Sequence, residues 1–441
     1  MSEEPIVSAR PVAVVPLAPV APIRADERIM VVDVLRGFAL FGILLVNMAF
    51  FTSPVYIVML ETPWWTAPAD RIAETGIRWL AEGKFYVLFS FLFGLGMALQ
   101  MGRVEARGGR FVRLYVRRLC VLLGIGLCHA LLLWYGDILT LYACLGFPLL
   151  LFRRRTDRTL LWWASLVYCV PVAIVGVLCG LVALAGLDPK GAAEVQQQMA
   201  DNAAAMLAAA QRSVAVYQNG SFADIFRHRL ENHAALLWDL PFIMPVIFTM
   251  FLLGSYCGRR GLPRTIADHP LALRRLVAWG LPLGLLLNAV YAYVLSTGRH
   301  AHPDAVLFVA TAMHALGTPL LSGGYAAVIV LLVQRASWRR RLEPLAAVGR
   351  MALTNYLLQT LICTTLCYGY GFRLFGRIGP AWGVVLTIAV YALQVPLSVW
   401  WLERFRFGPA EWIWRSLTYW KWQPLSLVQA GLPPPTQGLL G

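Results

Sequence analysis

Asp33, Arg36, Asn47, His129 and Asp137 stand inside or at the ends of long apolar stretches. An ionisable or amide group is expensive there unless it is paired or wet, so each is a candidate for chemistry. Asp33 and Arg36 are three residues apart and can pair on one helix face. The pair reads either as a structural bridge with the Arg36 stem snorkelling, or as a place where Arg36 meets an anionic group. Asn47 lies about 17 residues into the first apolar stretch, roughly 25 Å from its start at helical rise. His129 lies about 15 residues into the third stretch, which runs the same way, so the two reach similar depths. Asp137 follows in Trp134-Tyr135-Gly136-Asp137, where Gly136 lets the chain bend back. A carboxylate beside a histidine fixes its tautomer and raises its basicity, which suits a general base. The competing reading of His129 is an interhelical hydrogen bonder.

A second set is weaker. In Thr354-Asn355-Tyr356-Leu357-Leu358-Gln359-Thr360, Asn355 and Gln359 share a helix face beside Tyr356. They serve equally well as glue between helices or, with Asp33, as a substrate-lining face. His314, in mid-stretch, reads as a satisfied core histidine, while His228, His233, His269, His300 and His302 fall in connections or at edges. The eight cysteines lie in or beside apolar stretches without zinc spacing, so they read as packing residues and no metal or disulfide is expected. Phosphate-cradling Gly loops, zinc-protease helices and Gly-x-Ser-x-Gly elbows are missing from the sequence.

The elements that must position these groups are membrane helices. Of 441 residues, 59% are apolar and 14% charged, against roughly half and a quarter in an ordinary soluble domain. The apolar residues come in blocks of about twenty, the length that crosses about 30 Å of hydrocarbon. Strand alternation is not sustained within them. The expected fold is therefore all-α, a polytopic helical membrane protein with about ten transmembrane helices. Their expected ranges are 30–52, 85–101, 114–135, 138–152, 159–186, 240–257, 276–296, 305–333, 345–369 and 380–402.

Charge sets the orientation. With a cytoplasmic N-terminus, 27 of the 38 Lys and Arg fall in the segments left inside, including Arg153 to Arg155 and Arg339 to Arg341. That is the positive-inside pattern. It implies a multi-pass protein of the cytoplasmic (inner) membrane with both termini cytoplasmic. The net charge of +15 belongs to this pattern and to lipid contact, and nucleic acid is not an expected partner.

The organisation read from this is a disordered cytoplasmic tail at 1–29, too acidic at its start for a signal peptide. Membrane helices follow at 30–186, and an Ala- and Gln-rich extracytoplasmic helix or helical hairpin at 187–239. A second membrane block covers 240–403, and an inner-surface amphipathic helix rich in Trp covers 404–422. The end, 423–441, reads as a flexible tail. The Gly-x-x-x-Gly at Gly254 and Gly258 is a helix-contact signal of low specificity.

Four stretches carry a family resemblance: Asp33 to Asn47, Leu127 to Leu139, Gly349 to Thr360 and Arg404 to Thr418. In them the chain resembles the YeiB family of bacterial membrane proteins, long labelled a domain of unknown function. More distantly it resembles the transmembrane acyltransferases that include heparan-α-glucosaminide N-acetyltransferase. The shared features are the Asp-x-x-Arg-Gly of Asp33, Arg36 and Gly37, and the later Asn47. In those enzymes cytosolic acyl-CoA donates to an acceptor on the far side, and the Asn works with a His placed shortly after it. This chain departs from the pattern, because its first histidine is His129.

The resemblance implies an acyltransferase that uses acyl-CoA, with acetyl-CoA the expected donor. His129 oriented by Asp137 would take the acceptor's proton, and Asn47 would hold the thioester carbonyl. Arg36, Arg117 and Arg118 would hold CoA phosphates. The partners implied are membrane lipid and a small-molecule or glycan acceptor, and a homodimer is compatible with this reading. Two other readings stand beside it: a small-metabolite transporter lined by Asp33, Arg36, Asn355 and Gln359, and a scaffold or lipid-binding protein without turnover.

Overall fold

An apolar run of sufficient length satisfies all its backbone groups within one helix, so it can lie in hydrocarbon without an unpaired N–H or C=O. The computed structural model describes residues 29–60, 62–298 and 302–428, and no strand occurs among them. Most of the expected N-terminal tail, His300 and the last part of the expected C-terminal tail lie outside the described residues.

The chain opens with α1 (Met30–Thr52), α2 (Pro68–Leu80) and α3 (Lys84–Ala106). Next, α4 (Phe111–Cys128) passes through a π-helical turn, His129–Leu133, and the chain doubles back into α5 (Leu139–Leu151). A nearly continuous pair follows, α6 (Asp157–Tyr168) and α7 (Val170–Ala185). The polar stretch forms α8 (Pro189–Asn219) and α9 (Phe222–Leu236). Beyond it come α10 (Leu240–Arg259), the short α11 (Leu262–Thr265) and α12 (Pro270–Arg275), then α13 (Leu281–Ser296) and α14 (Ala305–Val333). The chain closes with α15 (Ala336–Arg350), α16 (Ala352–Cys367), α17 (Pro380–Leu402) and α18 (Pro409–Tyr419).

Among the described residues, eight helical segments are long and apolar enough to cross a membrane, and α5 and α16 are shorter apolar helices of 13 and 16 residues. At 1.5 Å per residue these two reach roughly 20 and 24 Å. Every expected span falls on one of these helices, with one correction. The span expected at 345–369 divides at Met351, whose backbone leaves the helical region (φ −107°, ψ 33°). Arg339 to Arg341 keep their place in the connection between spans, which is itself helical as α15. The stretch 190–232 is a hairpin of two helices. Asp188 caps its first helix by accepting from Gly191 N, and Ser221 and Asp224 cap the second reciprocally.

Two close helix crossings organise the bundle. On α1 and α15, a Cβ at Gly37 would collide with the Leu345 carbonyl, and one at Gly349 with the Asp33 carbonyl. Only glycine lets these backbones touch. The crossing seats the start of α16 beside α1, and Tyr391 Oη on α17 donates to Gly37 O at 2.6 Å. On α3 and α10 the low-specificity Gly-x-x-x-Gly proves to be a real contact, with Gly254 against the Phe91 carbonyl and Gly258 against Ala98.

Around this core the outer faces are apolar. Trp162, Leu178 and Leu181 on α6 and α7 are exposed, as are Trp382, Leu393 and Trp400 on α17. Such a belt would be an aggregation site in water and is the expected surface in lipid.

Candidate functional site

α4 stops being a regular α-helix at Cys128. One π-helical turn re-aims its side chains, a device frequent at functional sites. Trp134 is then extended (φ −158°, ψ 133°), and Gly136-Asp137 reverse the chain. The reversal brings Asp137 back on His129, with Nδ1 to Oδ1 at 2.8 Å. The same carboxyl group accepts from Leu139 N at 3.2 Å and Thr140 N at 2.7 Å, so it also caps α5.

With its Nδ1–H donated to Asp137, His129 presents a lone pair at Nε2, a tautomer assigned from the bonding pattern. Nε2 faces Thr360 Oγ1 at 2.9 Å. The Tyr356 ring lies against the imidazole at 5.1 Å between centroids. All of this is dry: His129 is 2% exposed and the Asp137 side chain 1%. A carboxylate, an imidazole and a hydroxyl in one line form a proton-transfer arrangement, with base and orienter in hydrogen-bond reach.

Beside this line lies a cavity of about 510 Å³. Asn47, Glu82, Asp137, His233 and Asp239 line it together with the hydroxyl-bearing Tyr86, Tyr135 and Thr140, and the rest of the wall is mainly aliphatic and aromatic. Asn47 is half-buried and its amide makes no hydrogen bond among the described residues. The structure thus brings Asn47 and Asp137 to one cavity. His129 is not itself among the residues that line the cavity.

The expected anion site is at the other end of α1, about 17 Å from Asn47 at helical rise. Arg36 Nη1 pairs with Asp33 Oδ1 at 3.2 Å and its side chain is about one-third exposed (32%). The Arg118 guanidinium lies over the Trp414 ring at 4.1 Å and donates to Gln100 Oε1 at 3.2 Å. Trp414 Nε1 returns a bond to Arg118 O at 2.9 Å, and Arg117 sits 5.9 Å from the Trp420 ring. Arg117 and Arg118 on α4 thus lie against tryptophans of α18 and the residue that follows it.

Other predicted residues are placed elsewhere. Asn355 Nδ2 donates to Ser398 Oγ at 2.9 Å, Gln359 Nε2 to Gln394 Oε1 at 2.9 Å, and Gln394 Nε2 to Asn355 O at 2.9 Å. Both amides bond to α17, Asn355 also donating to Val348 O at 3.3 Å, and neither lines the cavity beside Asp137. Tyr356 packs on His129 rather than lining a path. His314 is the satisfied core histidine expected of it, bonded to Asn288 Oδ1 at 3.0 Å and stacked on Tyr291.

Sequence reasoning missed Thr360, Glu82 and Glu411. Thr360 and Glu82 lay in view, one closing a quoted motif and the other just before an apolar span, but nothing local marked their partners. Glu411 reaches from α18 to cap α16, accepting from Leu353 N at 2.6 Å, Thr354 N at 3.1 Å and Thr354 Oγ1 at 2.5 Å.

These features define a polytopic helical membrane protein with a polar site buried near one end of its bundle. The chain belongs to the YeiB-like family of bacterial membrane proteins of unknown function. The family model described as "Protein of unknown function (DUF418)" matches residues 257–421. Uncharacterized protein YxaH of Bacillus subtilis (strain 168) is 38% identical over 425 residues, covering 92% of this chain and 98% of its own length. Uncharacterized protein YeiB of Escherichia coli (strain K12) is 30% identical over 405 residues, 89% of this chain and 96% of its own. An uncharacterized 39.9 kDa protein of Bacillus acidopullulyticus is 30% identical over 406 residues, 90% of this chain and 96% of its own. No solved structure matches the chain.

Proposed function

We propose that this protein is a membrane-embedded acyltransferase that moves an acyl group from cytoplasmic acyl-CoA to an acceptor hydroxyl or amine on the outer side. The observation that carries the reading is the buried line Asp137–His129–Thr360 against a cavity whose wall holds the unpaired amide of Asn47. Thr360 Oγ1 occupies the place where an acceptor hydroxyl would stand. An acceptor that replaces it gives its proton to Nε2 as it attacks the thioester carbonyl. Asn47 donates to the oxyanion, and collapse expels the CoA thiolate, which takes the proton back from His129. Asp137 positions the imidazole and stabilises it when charged.

In this scheme Arg36, with Arg117 and Arg118 beside it, meets the phosphates of CoA, acetyl-CoA being the expected donor. The pantetheine arm would run along α1 toward Asn47. The charge distribution supports cytoplasmic termini in the inner membrane. Transport without covalent chemistry is the weaker reading, because Asn355 and Gln359, which would line its path, are engaged with α17.

Calorimetry on the purified protein in detergent tests the donor half. Saturable acetyl-CoA binding, weakened at least about ten-fold by Arg36→Ala, is expected from the loss of a charge-assisted contact. Folded protein that binds no CoA species would overturn the scheme.

A further inference from the structure

The cavity beside Asp137 holds a group that the acyl-transfer scheme leaves unused. Glu82, in the short link between α2 and α3, lines it. Its carboxyl group makes no ion pair among the described residues, and its hydrogen bond is a long one from Tyr291 Oη at 3.5 Å. Arg78 and Lys84 are near enough to attract it, but their hydrogen bonds go elsewhere: Arg78 binds Glu74 at 2.8 Å, and the fully buried Lys84 donates to Arg78 O at 3.1 Å. A carboxyl group with a single long hydrogen bond and an amide with none, both lining a cavity set in membrane helices, call for a ligand that donates to both.

The same cavity reaches the lipid-facing surface. Leu127 and Leu131 at the end of α4, and Leu237 just before α10, line it and are also 44%, 38% and 62% exposed. α5 begins only at Leu139. At that depth the end of α4 therefore lacks the neighbour that α5 provides further along. Between these leucines the cavity opens sideways, toward the bilayer.

The geometry points to a membrane amphiphile with a primary amine head as the occupant of this cavity. Its ammonium group meets Glu82 and Asn47, and its chain leaves between Leu131 and Leu237. The inference rests on the acyl-transfer reading only in naming that amphiphile as the acceptor; the binding site stands without it.

The test uses the full chain in phosphatidylcholine nanodiscs, with radiolabelled dodecylamine as the probe and empty nanodiscs subtracted. Saturable binding is expected, weakened about ten-fold or more by Glu82→Gln, since a bond to a charged group is lost. Ala130→Phe, which fills the cavity without touching the carboxyl group, should abolish it and decides the matter if Glu82→Gln does not fold. Dodecanol should not compete. Equal binding by wild type and both variants, or equal competition by dodecanol, would overturn the assignment. Amine binding without acyl transfer sinks the acyltransferase and keeps the site. Transfer to soluble amines alone, with no dodecylamine bound, does the reverse.

Discussion

Replacing Asp137 with Asn separates catalysis from folding at a residue to which the proposed scheme gives both jobs. The wild-type carboxyl group accepts from His129 Nδ1 at 2.8 Å and from the backbone N–H groups of Leu139 and Thr140. Asn caps a helix about as well as Asp, so α5 keeps its cap and stability should change by less than about 1 kcal/mol. In a chain of 441 residues that is a shift of about 2 °C or less in melting temperature. The imidazole fares differently. If the Asn oxygen stays on the backbone, its amide N–H faces Nδ1 and forces the opposite tautomer. Nε2 then carries a proton and cannot accept one from an acceptor. General-base catalysis contributes about 10²- to 10⁴-fold, so transfer should fall by that factor. The assay is label transfer from acetyl-CoA in membranes, run beside thermal unfolding of the purified variant. Asp137→Asn with wild-type turnover would refute the role given to His129. A variant that simply unfolds would show that capping, not tautomer control, is what Asp137 does.

Other outcomes follow from single contacts. Thr360→Val should leave transfer largely intact, since the acceptor displaces this hydroxyl, while costing about 1–3 kcal/mol in unfolding through the unpartnered Nε2; loss of transfer in a folded variant would make Thr360 itself part of the chemistry. Gly349→Ala should destabilise by about 1–3 kcal/mol or prevent folding, because its Cβ collides with the Asp33 carbonyl, and a wild-type melting temperature would contradict that crossing. Burial pushes the Glu411 carboxyl group above its usual value of 4.5 despite its three donors. A raised acid binds its proton more tightly when folded, so its contribution is fully present below 4.5 and is lost as pH rises through the folded value. Wild type should therefore gain melting temperature over Glu411→Gln as pH falls from 7 toward about 4.5, and a constant difference would remove this role.

The parts of this protein that were legible in its sequence share a physical reason. Hydrocarbon forces apolar residues into blocks of helical length, so α1, α10, α14 and α17 could be marked almost to the residue. His129 and Asp137 were legible as a pair because eight residues and one turn join them. Asn355 and Gln359 illustrate the opposite. An amide on a helix face says that a partner exists, not whether that partner is a ligand or another helix, and here it is α17. Thr360 meets His129 across 231 residues of chain, and Trp414 meets Arg118 across 296. Those meetings depend on packing such as the Gly37–Gly349 crossing, and no local pattern encodes which helices touch.

Acyl transfer in inside-out membrane vesicles tests the central claim most directly. Vesicles carrying the wild-type protein, supplied with radiolabelled acetyl-CoA and their own acceptors, should release free CoA and accumulate label in a membrane or lumenal product. Those carrying folded His129→Ala should not. Equal label from both, or none from the wild type, would contradict the account.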